Sequence, residues 1–402
     1  MSPTRVRPHP ATPACATDRV TDLAPPPAPP RPELTWTAGP GAPSRARAIR
    51  LTADARVPAS TSWSHAATDL TGRSPAVRVR LTGADELVDL TVRLTAGDGA
   101  FVWRVLPDAL GGPDRPPLLC DGQEAVLTLS FADVTLDGRP DRTAVTGVTV
   151  GLTAKGPSTA EISGMGSMPE PSRFPRGLLT LTFDDSFASQ ATVALPELAE
   201  RSLRGSVVPI LGRLDTGPEH LSRRDVDEMI AQGWEVTAHA LTDETHQLGS
   251  ARMTEQQREH EFTELRRQHA EMGWTADTFA YPGGWWSAEA GAHALRHFTG
   301  VRSAYAALTE TWPPTEPDRI RTVLVMPSTH PDGAALAAEI DRAMAHRAWT
   351  VLTFHGLVAA GGAALTPLDT PADAFRALLD RIVELDVPVL TLREALGFPV
   401  SD

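Results

Sequence analysis

Leu178-Leu179-Thr180-Leu181-Thr182-Phe183-Asp184-Asp185 is the stretch that decides how this chain is read. It is apolar and β-branched until it meets two adjacent carboxylates, the pattern of a buried strand that ends at a rim. Ionised groups resist leaving water, so an acidic pair builds a poor core. It is well suited to holding a metal ion with a base beside it. If strand geometry persists through the pair, the two side chains diverge, one toward the metal and one toward substrate.

Working outward, strands and helices alternate. Helical Ala191–Ser202 leads to strand Ser206–Ile210. Ser222 then caps a helix to Ala231, with Asp225 placed for a capping box and Gly233 as the stop. Trp234–His239, Thr278–Tyr281, Trp349–His355 and Val387–Leu390 read as strands. Thr254–Met272 and Asp373–Leu385 read as helices. This alternation predicts parallel strands covered by helices in a barrel-like α/β domain, whose chemistry sits where strands end.

The candidate residues stand at those ends. His239 closes one strand, with Asp243 and His246 following it. Imidazoles with a carboxylate suit Zn²⁺ and leave a fourth position for water. On a continuous helix, residues seven apart lie about 10 Å apart along the axis, which favours Asp243 as the third ligand. In a loop His246 folds back, and nitrogen ligands make the more usual set, so His246 is preferred. Phe279-Ala280-Tyr281-Pro282-Gly283-Gly284 follows a short strand, and its glycines let backbone N–H groups approach an oxyanion. Tyr281, Gly283, Trp285 and Trp286 are the expected substrate contacts, the tryptophans reading equally as a sugar platform or as packing under a loop. His355 ends another strand and is the best available proton donor. His260, His269, His293 and His297 are read as surface residues of helices.

The first half has a different grain. Residues 1–33 are rich in Pro, Ala and Thr and read as a disordered tail. Residues 34–168 alternate with period two, as in Ala76–Leu81, Val88–Leu94 and Ala125–Phe131, which predicts an antiparallel, jelly-roll-like β-sandwich. It is a carbohydrate-binding candidate. Trp36, Trp63 and Trp103 either stack on sugars or fill its core. The second domain is expected over 172–400.

A net charge of −13 over 402 residues argues against a nucleic-acid partner, since like charge repels phosphate. No apolar run approaches a membrane span. Nor is there a signal-like apolar run behind the early arginines, so a cytoplasmic location is the default expectation. Cys15 and Cys120 are too few for a thiolate zinc site.

Thr182-Phe183-Asp184-Asp185, His239 with a downstream His, Tyr281-Pro282-Gly283-Gly284 and Phe354-His355-Gly356 together resemble the polysaccharide deacetylase family, the NodB-homology domain of carbohydrate esterase family 4. The resemblance implies a deformed (β/α) barrel binding one divalent metal, usually zinc. It implies Asp185, His239 and His246 as ligands, Asp184 as general base and His355 as general acid. The chain departs from the family at Asp243, which occupies the usual second-histidine slot. It departs again at Ser186, where the family has Gly, and at Ala280, where an Arg normally braces the base. Arg321, or else Arg319, is expected to supply that brace. The expected function is removal of N-acetyl groups from an amino sugar or polysaccharide. An O-acetyl carbohydrate esterase and a glycan-binding protein with an inactive barrel are the alternatives.

Overall fold

The computed structural model describes residues 34–36, 43–44, 48–55, 57–105, 119–171, 173–303, 308–359 and 366–397; the expected tail, 1–33, lies outside them. The N-terminal half is built from β1 (Thr35–Trp36), β2 (Ile49–Ala53), β3 (Ala59–Thr68), β4 (Arg73–Thr82), β5 (Leu87–Val105), β6 (Glu124–Thr128), β7 (Thr135–Ala154) and β8 (Ser158–Pro169). They form two antiparallel sheets, one ordered β1-β8-β4-β6 with β2 also on β8, the other β3-β7-β5. Alternation has the expected effect: Val77, Val79 and Leu81 are buried while Arg80 between them is exposed. Val77 and Val79 from one sheet join Leu90, Val92 and Val150 from the other in a single apolar cluster. Trp63 and Trp103 belong to that cluster, and Trp103 Nε1 donates to Ser130 O at 2.7 Å. Buried indoles cannot stack on a sugar, which leaves these two as core residues.

The second half runs β9 (Leu178–Asp184), α1 (Leu195–Glu200), β10 (Ser206–Val208), α2 (Arg223–Ala231), β11 (Glu235–Val236), α3 (Asp243–Leu248) and α4 (Glu255–Glu271). It continues with β12 (Thr278–Ala280), α5 (Ala288–His297), β13 (Gly300–Arg302), β14 (Val323–Leu324), α6 (Gly333–Ala345) and β15 (Trp349–Phe354). Short β16 (Leu357–Val358) and β17 (Thr370–Pro371), then α7 (Ala372–Glu384) and α8 (Leu392–Ala395), complete it. β11-β10-β9-β15-β14 form one parallel sheet and β12-β13 another. Single parallel bridges, Ala238↔Phe279 and Arg302↔Ile320, carry the pairing from β11 to β12 and from β13 toward β14. The strands thus run in an irregular ring with their C-terminal ends on one rim. The capping box at Ser222 and the cap at Thr254 are present. Val387–Leu390 forms no strand and contributes one bridge, Leu179↔Val389. The helix expected from Ala191 begins as a π-turn, Gln190–Ala194, before α1.

Every residue of β9 is buried, which explains its unbroken apolar run. Phe183 lies between the rings of Trp234, Phe354 and Phe375 at 5.0–5.9 Å, and burying such a side chain stabilises by about 1.5–3 kcal/mol. The two halves share polar contacts. Thr315 Oγ1 donates to Val126 O at 2.7 Å, Thr309 N donates to Asp133, and Arg321 Nη1 donates to Thr128 O at 3.0 Å. Among the described residues no helix is long and apolar enough to cross a membrane.

Candidate functional site

Consecutive left-handed residues turn the chain sharply at the end of β9, Asp185 at φ 71° and Ser186 at φ 63°. Left-handed backbone disfavours side chains other than Gly, Asn and Asp, so neighbouring contacts must hold the turn. Ser186 Oγ accepts from Ile210 N at 2.9 Å and donates to Ile210 O at 3.3 Å. Asp185 N donates to Val208 O at 3.2 Å. The strand ends at Asp184, so it is this turn, and not the strand alternation expected through the pair, that separates the two carboxylates.

Asp184 is 4% exposed, and its Oδ1 accepts from Nη2 of Arg302, itself fully buried. Gln190 Nε2 donates to the Asp184 carbonyl and lies 3.4 Å from that of His355, joining two strand ends.

Asp185 meets the histidines. His239 Nε2 lies 3.3 Å and His246 Nε2 3.2 Å from the same oxygen, Oδ1 of Asp185. His355 Nε2 lies 3.9 Å from Oδ2. Burial alone would raise the Asp185 carboxyl, but the His239 and His246 rings, when Nε2 carries a proton, outweigh it and hold it well below the usual range. His239 Nδ1 is 2.8 Å from Ala280 O. A carbonyl only accepts, so Nδ1 carries the proton, and in the neutral ring Nε2 presents a lone pair to the carboxylate. Electron-rich atoms facing one another this way need protons or a cation between them. A tetrahedral ion with bonds of about 2.0–2.1 Å sets its donors about 3.3 Å apart, which these spacings match. Asp185, His239 and His246 therefore fit a divalent metal.

His246 and not Asp243 joins the group because α3 begins only at Asp243, capped by Thr242. His239 precedes it in extended chain, so the helical rise does not separate the two. Asp243 turns outward and accepts from Arg213 Nε at 2.6 Å.

Three expectations are corrected. Arg321 does not reach Asp184: it pairs with Glu310 at 2.5 Å and bonds Thr128, in the contact between the two halves. Arg319 lies over the Trp286 ring at 4.4 Å and pairs with Glu316. The arginine on Asp184 is Arg302, which sequence reasoning missed; its signal was a charged residue closing the short apolar Gly300-Val301 strand. Tyr281 and Trp286 are buried, at 1% and 3% exposure, and the Tyr281 hydroxyl donates to Asp318 O at 2.9 Å. They are packing residues beneath the loop. Gly283, exposed at φ 60°, and half-buried Trp285, with Arg252 4.0 Å over its ring, remain at the surface. The third correction concerns the helical histidines: His269 and His293 are buried and His297 half-buried, with only His260 exposed.

No known family profile and no curated protein matches this chain. Solved structures do. IcaB from Ammonifex degensii is 22% identical over 40% of this chain and 72% of its own, with a TM-score of 0.33. A family 4 acetyl xylan esterase from Clostridium thermocellum, in complex with a cobalt ion, is 16% identical over 56% and 94%, at 0.39. A carbohydrate esterase family 4 pseudoenzyme from Bacillus anthracis is 15% identical over 55% and 66%, also at 0.39. In its ordered motifs this chain resembles the polysaccharide deacetylases, and its similarity to solved structures falls among deacetylases and esterases of that kind.

Proposed function

We propose that this protein is a metal-dependent carbohydrate deacetylase that removes N-acetyl groups from an amino sugar or polysaccharide. The observation that carries the reading is the meeting of His239 Nε2 and His246 Nε2 on one oxygen of Asp185, with the second carboxylate, Asp184, held apart on Arg302.

In this reading Asp185, His239 and His246 hold a divalent ion, a donor set that suits zinc. Such an ion lowers the pKa of bound water toward neutrality and polarises an acyl carbonyl. Asp184 is the general base, and Arg302 fixes its position. The His239 ring is held by the Ala280 carbonyl, which orients the lone pair of Nε2. His355, beside the ligand carboxylate, delivers a proton to the departing amine. The backbone N–H of Gly283 faces the developing oxyanion, since Pro282 carries none and that of Gly284 is given to Tyr281 O at 2.9 Å. Trp285 contacts the sugar at the edge of that turn.

We assign the catalytic unit to residues 172–400. Residues 34–168 are taken as a jelly-roll-like β-sandwich, on the support of two antiparallel sheets around one core.

Acetate release from acetylated chitooligosaccharides, measured with zinc and after chelation, tests the function. Release that stops on chelation and returns with zinc is expected. An inert, zinc-loaded protein would refute the reading. Release from acetylated xylan but not from chitooligosaccharides would make the enzyme an O-acetyl esterase.

A further inference from the structure

Two imidazoles converge on a carboxylate a second time, between α4 and α5. His293 and His297 are four residues apart on α5, so they stand one above the other on a single face. Glu259 projects from α4. Its Oε2 lies 2.6 Å from His293 Nε2 and 3.4 Å from His297 Nε2. The imidazoles are nearly parallel, with centroids 5.6 Å apart and planes 17° apart. Phe262 packs against both, at 5.5 and 5.7 Å, so neither ring turns freely. The histidine side chains are 3% and 14% exposed, whereas that of Glu259 is 53% exposed. Arg296 also approaches Glu259 Oε2, at 3.7 Å, but this guanidinium is 57% exposed and its attraction is screened by water.

We propose that Glu259, His293 and His297 bind a second divalent transition-metal ion, zinc by preference, which staples α4 to α5. Two imidazoles and a carboxylate are ligands zinc accepts, and a tetrahedral ion sets its donors about 3.3 Å apart. The His297–Glu259 spacing already fits. The shorter His293–Glu259 spacing has to open by about 0.7 Å to reach that value. Glu259 can make this movement because its side chain lies largely in water. The fourth position is left to water.

The staple would brace the candidate active site from behind. On α4, Glu261 accepts from Leu241 N at 2.8 Å, in the segment between His239 and His246. α5 starts at Ala288, directly after Trp285 and Trp286. An ion joining the helices therefore couples the histidine-bearing loop to the glycine turn. This inference stands independently of the deacetylase reading.

Calorimetric titration of the metal-stripped full chain with Zn²⁺ tests the site. Two ions per chain are expected. Glu259→Gln, an exposed position whose replacement leaves the core alone, should bind one, as should the His293→Gln/His297→Gln pair. His239→Ala should also bind one, and His239→Ala combined with Glu259→Gln none. Undiminished binding in both helix variants overturns the proposal. So does a single wild-type ion that His239→Ala removes and Glu259→Gln keeps. The converse, a single ion kept by His239→Ala and lost in Glu259→Gln, supports the helix site and sinks the active-site reading instead.

Discussion

Arg302 and Asp184 close two different strands of the ring and meet out of water, the guanidinium 0% and the carboxylate 6% exposed. Nε and Nη1 of Arg302 are buried without a hydrogen-bond partner among the described residues, so the Asp184 charge is what holds this arginine inside. Arg302→Met should destabilise the protein by about 3–5 kcal/mol, because it leaves a buried charge unpaired. Urea unfolding measures this, and a loss near zero would mean the pair is solvated. Asp184→Asn should also destabilise, so its expected loss of acetate release has to be read beside its unfolding curve. The double variant should be more stable than the two single losses add up to.

The ligand assignment has its own comparison. His239→Ala and His246→Ala should each lose zinc from the Asp185 site, whereas Asp243→Ala should retain it. Asp243 is half exposed and bonded to Arg213, so its loss should cost no more than about 1 kcal/mol. Metal content by atomic absorption decides, counted on a Glu259→Gln background to leave one site in view. Zinc lost with Asp243 and retained without His246 would reverse the assignment.

Ser186 occupies a left-handed position that favours Gly, yet its hydroxyl bonds both polar groups of Ile210. Ser186→Gly relieves strain of about 1 kcal/mol and loses hydrogen bonds of similar worth, so its stability should barely change. Ser186→Ala keeps the strain and strands the Ile210 N–H, and should lose about 1–3 kcal/mol. Thermal unfolding of the two variants separates these effects. Equal losses in both would show that the left-handed turn stores no strain, and no loss in Ser186→Ala that the hydroxyl contributes nothing.

Acid stability should depend on two buried groups with opposite slopes. Burial pushes His269 down to about 4, against a hydrogen bond to Leu265 O that acts the other way. The unfolded chain therefore takes up this proton first, and stability falls as pH drops from about 6.5 to about 4, by up to about 3 kcal/mol. Burial pushes Asp133 up to about 6, despite Arg321 nearby. Here the folded chain holds the proton, so stability is present at low pH and is lost as pH rises through about 6. The two partly cancel between pH 4 and 6. Asp133→Asn should steepen the acid loss and His269→Leu should reverse its sign; identical pH–stability curves for both would contradict the scheme.

Much of the site was legible because strand ends concentrate chemistry: Asp184, Asp185, His239 and His355 are all marked by an apolar run before them. The helix caps at Ser222 and Thr254 were legible for local reasons, since capping is decided within four residues. Arg302 was not, because the bond to Asp184 spans 118 residues and depends on ring closure that no local pattern encodes. The burial of His269 was hidden by composition. α4 looks uniformly charged, yet Arg258, Glu261, Phe262, Leu265 and His269 form one buried stripe at helical spacing. Polar residues at core positions disguised it. Val387–Leu390 has the hydrophobicity of a strand but finds only one bridge on Leu179.

The Arg321–Glu310 pair, sealed by Thr128 from the other half of the molecule, makes the two portions poor candidates for modular exchange. Severing the chain near residue 172 would bare a guanidinium, a carboxylate and the acceptors of β6 at a stroke. A barrel expressed alone would inherit a wet ionic wound where it now has a dry seam. The first half therefore covers a charged face of the second, whether or not it ever touches a sugar.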